Sequence, residues 1–261
     1  MHKLSRQKIS KGRIKKWINI YHFRGGVEST TMCVLFGGDA KAIFADTGAE
    51  HKVLYDRLEF VENEIRRIHP NFEIIKIKGK DLKSQIFKYN YLPTPFARYC
   101  TRESKIEPID KFLKEKGECT LMIGLNADEE RTGNYGLNKN VIYDYPLQKI
   151  GFTRKKCEDL LHKVGLHPNF PAYMQRGGCI FCPFKSRKEY IAMSLLSPGE
   201  FEEVVQIEEK VQDKREDFFS INQGFKMRDL RDFASNNLFT PEEMYPQKYE
   251  VYTQCGVFCN R

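Results

Sequence analysis

Apolar residues come along this chain in two alternating rhythms. Short β-prone runs are separated by longer stretches in which apolar positions recur at helical spacing. Trp17 to Phe23 (WINIYHF) alternates and predicts a strand, and Thr31 to Phe36 (TMCVLF) continues from it as an apolar helix. Lys41 to Ala45 (KAIFA) predicts a second strand, followed by Val53, Leu54, Leu58, Val61, Ile65 and Ile68 at helical intervals. Phe72 to Ile77 (FEIIKI) and Thr120 to Gly124 (TLMIG) predict a third and a fourth strand. Strands alternating with helices predict an α/β fold, a doubly wound, mostly parallel sheet with right-handed crossovers. Beyond it the pattern turns helical, with one helix over Ser186 to Leu196. A second opens at Ser197-Pro198-Gly199-Glu200 and carries Phe201, Val204, Val205, Ile207 and Val211. Arg228 to Phe233 and Pro241 to Tyr245 predict short helices. The organisation expected is an arm over 1–16, a main domain over 17–190, and a C-terminal helical segment and tail over 191–261. That last segment would pack on the core or make an oligomer contact.

In such sheets ligands bind at the carboxyl ends of the strands. Three polar clusters fall at that edge: residues 24–30, 46–50 and 126–131. The first, Arg24-Gly25-Gly26-Val27-Glu28-Ser29-Thr30, joins a strand to a helix start through two glycines. Backbone there can approach a phosphate closely, and the N–H groups of the first helical turn point at it. A Gly-Gly pair before a small polar residue also makes ordinary tight turns. The coincidence of three clusters at one edge is what points to a nucleotide pocket.

Arg24 to Ser29 resembles the Ser-Gly-Gly-x-Asp-Ser pyrophosphate loop of the adenine nucleotide α-hydrolase (PP-loop ATP pyrophosphatase) superfamily. Phe44-Ala45-Asp46-Thr47-Gly48-Ala49-Glu50 resembles the second signature of its phosphoadenosine phosphosulfate (PAPS) reductase branch. Tyr99 to Ile106 with Pro108, Gly124 to Arg131, and Gly178-Cys179-Ile180-Phe181-Cys182-Pro183-Phe184 are similar to later blocks of that branch, in the same order over residues 17–190. The resemblance implies a Rossmann-like nucleotide-binding domain, an adenine nucleotide (ATP or PAPS) and Mg2+. It assigns Arg24, Gly25, Gly26, Val27, Ser29, Thr30, Asp46, Thr47, Gly48, Arg102, Lys105, Gly124, Asp128 and Arg131 to the nucleotide. Glu28 and Asp46 would place magnesium and act in catalysis. Two departures stand in the loop: Arg24 replaces the leading serine and Glu28 the aspartate. Glu28 keeps the carboxylate on a longer stem, whereas Arg24 puts a fixed cation where a hydroxyl is expected.

No apolar stretch reads as a signal or membrane helix, so a cytoplasmic protein without disulfides is expected. The eight cysteines are then candidates for metal or redox chemistry. Cys179-Ile-Phe-Cys182 is a metal or cluster knuckle, because two thiolates at that spacing reach one centre. The resemblance supplies Cys100 as a third ligand, but Tyr99 stands where a further cysteine would precede it. Cys157, after the helix cap Thr153, is the candidate fourth; its other reading is a small apolar residue packed with Leu160, Leu161 and Val164. A [4Fe–4S] cluster is expected, with Zn2+ as the alternative. Cys255-Gly256 is similar to the nucleophilic Cys-Gly near the tail of thioredoxin-linked PAPS reductases, although Cys259 is not part of that pattern. The two could instead form a redox pair, a metal half-site or a terminal staple. Cys33 and Cys119 read as packing.

Charge adds a partner. The net +8 resides almost wholly in residues 1–16, which hold seven basic residues and no acidic one; outside them 36 basic residues face 35 acidic. Such an arm suits nucleic acid, and equally a solvated terminus. The segment Gly79 to Arg98 interleaves basic and aromatic residues, as a single-strand surface, a lid or simple packing would. Three functions follow. The first is Mg-dependent adenylation with release of pyrophosphate, in sulfur transfer or nucleic-acid modification with a sulfur donor or partner proteins. The second is sulfonucleotide (PAPS or APS) reduction by Cys255, and the third a nucleotide-binding regulator. No Ser/His/Asp order suggests a hydrolase.

Overall fold

The computed structural model describes residues 18–130, 140–217, 220–221 and 225–236. The chain runs β1 (Ile18–His22), α1 (Val27–Phe36), β2 (Ala40–Asp46), α2 (Lys52–Ile68), β3 (Ile74–Lys78) and α3 (Leu82–Tyr89). One helical stretch follows, as α4 (Tyr99–Thr101), a π-helical turn (Arg102–Ile106) and α5 (Glu107–Lys116). Then come β4 (Cys119–Met122), β5 (Val141–Asp144), α6 (Pro146–Lys149), α7 (Arg154–Lys163), α8 (Arg187–Leu196), α9 (Pro198–Gln212) and α10 (Met227–Asn236).

All four strand pairings are parallel, in the order β3-β2-β1-β4-β5. This is the expected doubly wound α/β sheet, covered on both faces. Successive residues of the central strand show why. Ile20 packs with Ile109, Leu113 and Leu121 on one face, while Tyr21 joins the cluster of α1 and α2 on the other. The order reverses beside β1, so the loops after β1 and β4 open a crevice at the carboxyl edge. β4 ends at Met122, which leaves Gly124 in the loop, and it includes Cys119. β5 was not expected. It is a short VIYD run that pairs with β4 at the sheet margin. The arm 1–16 and the helix expected over Pro241–Tyr245 lie outside the described residues. No helix among those described is long and apolar enough to cross a membrane.

Helices α8, α9 and α10 share the larger apolar cluster with α1, α2 and α7. Ser186 and Glu189 form a reciprocal capping box that starts α8. Buried polar contacts fix α9. Glu208 accepts from the amides of Ile221 (3.0 Å) and Met227 (2.7 Å). Glu200 accepts from the Lys52 amide at 2.8 Å and the Ser197 hydroxyl at 3.1 Å, and meets His51 Nδ1 at 2.5 Å. His51 is buried and its imidazole is held below the usual histidine range, mainly by that burial. Burial would raise the Glu200 carboxyl, but hydrogen bonds from His51, Lys52 and Ser197 outweigh it and hold the group low.

Both depressions have the same sign. The folded state takes up these protons less readily than the unfolded chain, so the stability they confer is present at neutral pH. It drains as pH falls from about 6.5 through 4. Amide exchange should therefore show α9 losing protection in mild acid ahead of α1; uniform loss would refute the assignment. Glu200→Ala should cost about 1–3 kcal/mol at pH 7, read from urea unfolding.

Candidate functional site

The loop after β1 is held by its own side chains. Gly25 takes φ 72°, and a Cβ there would stand 2.5 Å from Leu54 Cδ1, so conformation and space both demand glycine. α1 starts at Gly26 with no side-chain cap, which leaves its first-turn amides facing the crevice. Ser29 Oγ accepts from the Arg24 amide (3.3 Å) and donates to the Gly26 carbonyl (3.2 Å). Thr30 departs from expectation. It is fully buried, donates to the Gly26 carbonyl at 2.8 Å and accepts from Arg57 at 3.0 Å, so it braces the loop and does not face a ligand.

Arg57 was not foreseen. Its Nε donates to the Gly25 carbonyl (2.7 Å) and its Nη2 to the Leu166 carbonyl (2.8 Å), and burial pushes the guanidinium down to about 10. A signal existed: Arg57 lies among Leu54, Leu58 and Val61 on the apolar stripe of α2, where an unpaired cation would not be tolerated.

Glu28, in the first turn of α1, accepts at Oε1 from Arg154 Nη1 (2.7 Å) and Asn126 Nδ2 (3.1 Å). Asp128 caps α7 by accepting from the Arg154 amide at 2.7 Å. The three basic residues Arg154, Lys155 and Lys156 crowd the positive end of α7, an unfavourable place that hinted at a separate use for Arg154. Asp46 Oδ1 accepts from the Gly48 amide (2.8 Å) and the Tyr55 hydroxyl (2.7 Å), which folds the 46–50 loop. Thr47 is buried and donates to Glu50 Oε1 at 3.0 Å. Gly124 lies against Glu28 and Met32 of α1. Arg102 turns away: it is exposed and pairs with Glu103 (2.9 Å) and Glu107 (3.6 Å). Arg131 and Cys255 lie outside the described residues.

A second feature adjoins this loop. Cys100, Cys179 and Cys182 line one cavity of about 70 Å³, together with His22, Arg24, Lys105, Arg176 and Lys185. The π-helical turn explains how Cys100 and Lys105 reach it together, since its wider winding brings positions five apart to one side. The knuckle is stitched to the second loop: Glu50 bridges Cys179, and the Ile180 amide donates to the Ala49 carbonyl at 2.9 Å. Cys157 is not there. It is buried on α7 against α1, amid Thr31, Glu28, Arg154 and Glu158, and burial pushes its thiol up to about 11. The expected fourth ligand is therefore a packing residue, because the apolar face of α7 carries it into the core.

The cavity is positive as it stands. Burial pushes the Cys100 thiol up to about 11 and raises Cys179, which also feels Cys182 and Glu50. Burial lowers Lys185, whose ammonium donates to the Tyr173 carbonyl at 2.6 Å. At Lys105 burial acts downward, but Glu50 (3.3 Å), Cys179 and Cys100 outweigh it and keep the ammonium charged. His22 is kept neutral by burial and by the Arg24 and Lys105 charges, and its Nδ1 is buried without a hydrogen-bond partner. Buried ammoniums around neutral thiols call for a bound group that carries negative charge. Among the described residues as they stand, no group of three or more His, Cys, Asp or Glu could hold a metal ion.

No family model matches the chain. It is similar to two uncharacterized proteins of Methanocaldococcus jannaschii. One is 26% identical over 195 residues, which is 71% of this chain and 46% of the relative; the other is 30% identical over 184 residues, 66% and 37%. The chain thus spans less than half the length of either relative. Among solved structures it is similar to a phosphoadenylyl-sulfate (PAPS) reductase from Candida auris in complex with phosphate. That match has 13% identity, covers 58% of this chain and 74% of the other, and has a TM-score of 0.45. The fold assignment rests on the strand order itself.

Two outcomes follow from this geometry. Cys157→Ala should leave metal content after anaerobic reconstitution unchanged and lower stability by about 1–2 kcal/mol, a core truncation; a halved metal content would return Cys157 to the ligand set. Arg57→Met should loosen the loop and weaken binding of adenine nucleotide by on the order of 10-fold, measured by calorimetry.

Proposed function

We propose that the chain is a PAPS reductase-like PP-loop enzyme that binds ATP with Mg2+, adenylates an acceptor oxygen with release of pyrophosphate, and couples this to sulfur chemistry at a thiol-bound iron–sulfur centre. One observation carries the reading. The glycine loop and the three-cysteine cavity share a wall, made by Arg24 and by Gly177, so the phosphates of a bound nucleotide would lie beside the thiols. The uncapped amides of α1 and the Arg24 side chain supply the phosphate contacts. Arg154 shares Glu28 and would move between that carboxylate and a phosphate oxygen as magnesium arrives. Lys105 and Lys185 balance the charge of the centre.

The resemblance of the Cys100 block and the knuckle to the cluster-bearing reductases favours a cluster over zinc. Ligands of one zinc ion, each about 2.3 Å from the metal, lie within roughly 4 Å of one another. A [4Fe–4S] cluster takes each thiolate on a separate iron and accepts a broader set. When bound, such a centre supplies one-electron and sulfur-binding chemistry. The acceptor attacks the α-phosphorus, pyrophosphate leaves, and a sulfur nucleophile then displaces AMP from the adenylate.

The test is anaerobic reconstitution with iron and sulfide, followed by pyrophosphate release from ATP in the presence of candidate acceptors. Iron on the order of four per chain with broad absorption near 400 nm is expected. Glu28→Gln should keep nucleotide binding but reduce pyrophosphate release on the order of 100-fold. A protein that binds neither iron nor ATP would overturn the reading.

A further inference from the structure

The π-helical turn between α4 and α5 has two sides. Cys100, just before it, and Lys105 within it line the thiol cavity. Glu103 and Ser104, both buried, are gripped instead by α3 and the loop before it. Ser104 Oγ donates to the Lys80 carbonyl at 2.8 Å and accepts from Gln85 Nε2 at 2.7 Å. Gly79 runs against the same backbone, where a Cβ would stand 2.3 Å from the Ser104 carbonyl oxygen.

Glu103 is the unusual residue of the turn. A buried carboxylate is costly unless donors surround it. Here Oε2 accepts from Lys80 Nζ at 2.8 Å, and Oε1 from the Tyr89 hydroxyl at 2.6 Å and Arg102 Nη2 at 2.9 Å. Hydrogen bonds from Lys80 and Tyr89 do most to hold its carboxyl down to about 2, so the group stays ionised. A π-helical turn is rare and persists where surrounding contacts over-determine it. Three donors from three directions on one carboxylate do that here.

Resting on the reading above, in which nucleotide phosphates lie beside this cavity, we propose that Glu103 is a positioning residue. Clamped by Lys80, Tyr89 and Arg102, it fixes the π-helical turn and so sets Lys105 and Cys100 in the cavity wall. It acts through Lys105 and touches no ligand itself. Two members of the basic and aromatic segment over Gly79 to Arg98 thereby gain a use inside the protein: Lys80 and Tyr89 serve the clamp.

The experiment is a double-mutant cycle on the full chain, with binding of ATP and Mg2+ read by calorimetry. Glu103→Ala should weaken binding on the order of 10-fold, but by less than about 2-fold in the Lys105→Met background. Equal losses in both backgrounds would overturn the proposal, because a merely structural role adds to the loss of Lys105. No loss in Lys105→Met alone would overturn it too. A second readout is independent of nucleotide: alkylation of Cys100 before any reconstitution, followed by peptide mass spectrometry. Its rate should rise about 5-fold in Glu103→Ala as the turn loosens and the thiol meets water, with Cys157 unchanged. An unchanged Cys100 rate would overturn the clamp. A wild-type chain that binds no ATP would sink the nucleotide reading, and the clamp then stands or falls on Cys100. Tyr89→Phe removes one donor and no charge, so it should move both readouts the same way by less. That variant decides the matter if Glu103→Ala does not fold.

Discussion

The carbonyl of Arg24 lies against the backbone of Gly177 so closely that a Cβ at that glycine would stand 2.1 Å from the oxygen. That contact fixes the run-in to the cysteine knuckle onto the glycine loop after β1, and the bridge between Glu50 and Cys179 fixes its other side onto the loop after β2. The knuckle is therefore built on the carboxyl edge of the sheet and is not a separate appendage. Everything chemical in the molecule depends on this placement. Arg24 and His22 at the end of β1 line the same cavity as the thiols, and Lys105 pairs with Glu50 beside them.

Charge explains why such a crowded edge is stable. The anionic side of the crevice is assembled from groups that already hold partners: Glu28 with Arg154 and Asn126, Asp46 with Tyr55, Asp128 with the start of α7. The cationic side, around the thiols, is held by Lys105 on Glu50, Lys185 on the Tyr173 carbonyl and Arg176 on the Phe184 carbonyl. The two halves meet at Arg24, the residue that departs most from the loop it resembles.

What was legible in the sequence was what depends on local pattern. Alternating apolar runs located β1 to β4, and glycines between a strand and a helix located the loop that joins β1 to α1. The order of the polar clusters placed them at one edge, as the parallel sheet then did. What was not legible depends on packing across long separations. Arg57 grips a loop far from it in sequence, Arg154 closes on Glu28 from α7, and Thr30 is turned inward by Arg57. Cys157 looked like a ligand because spacing says nothing about which side of a helix faces the core.

The strand order bears on how this chain reaches its fold. β1 is the central strand, and its first partner, β2, follows within a short stretch, but its other neighbour, β4, arrives only about a hundred residues later. Through that interval one edge of β1 has no partner and its row of N–H and C=O groups is open to pairing with another chain. Closing it requires the long crossover from β3 to β4, through α3, α4 and α5, to be in place. The arrival of β4 on β1 is thus the long-range step of assembly, at the same junction whose carboxyl end becomes the crevice.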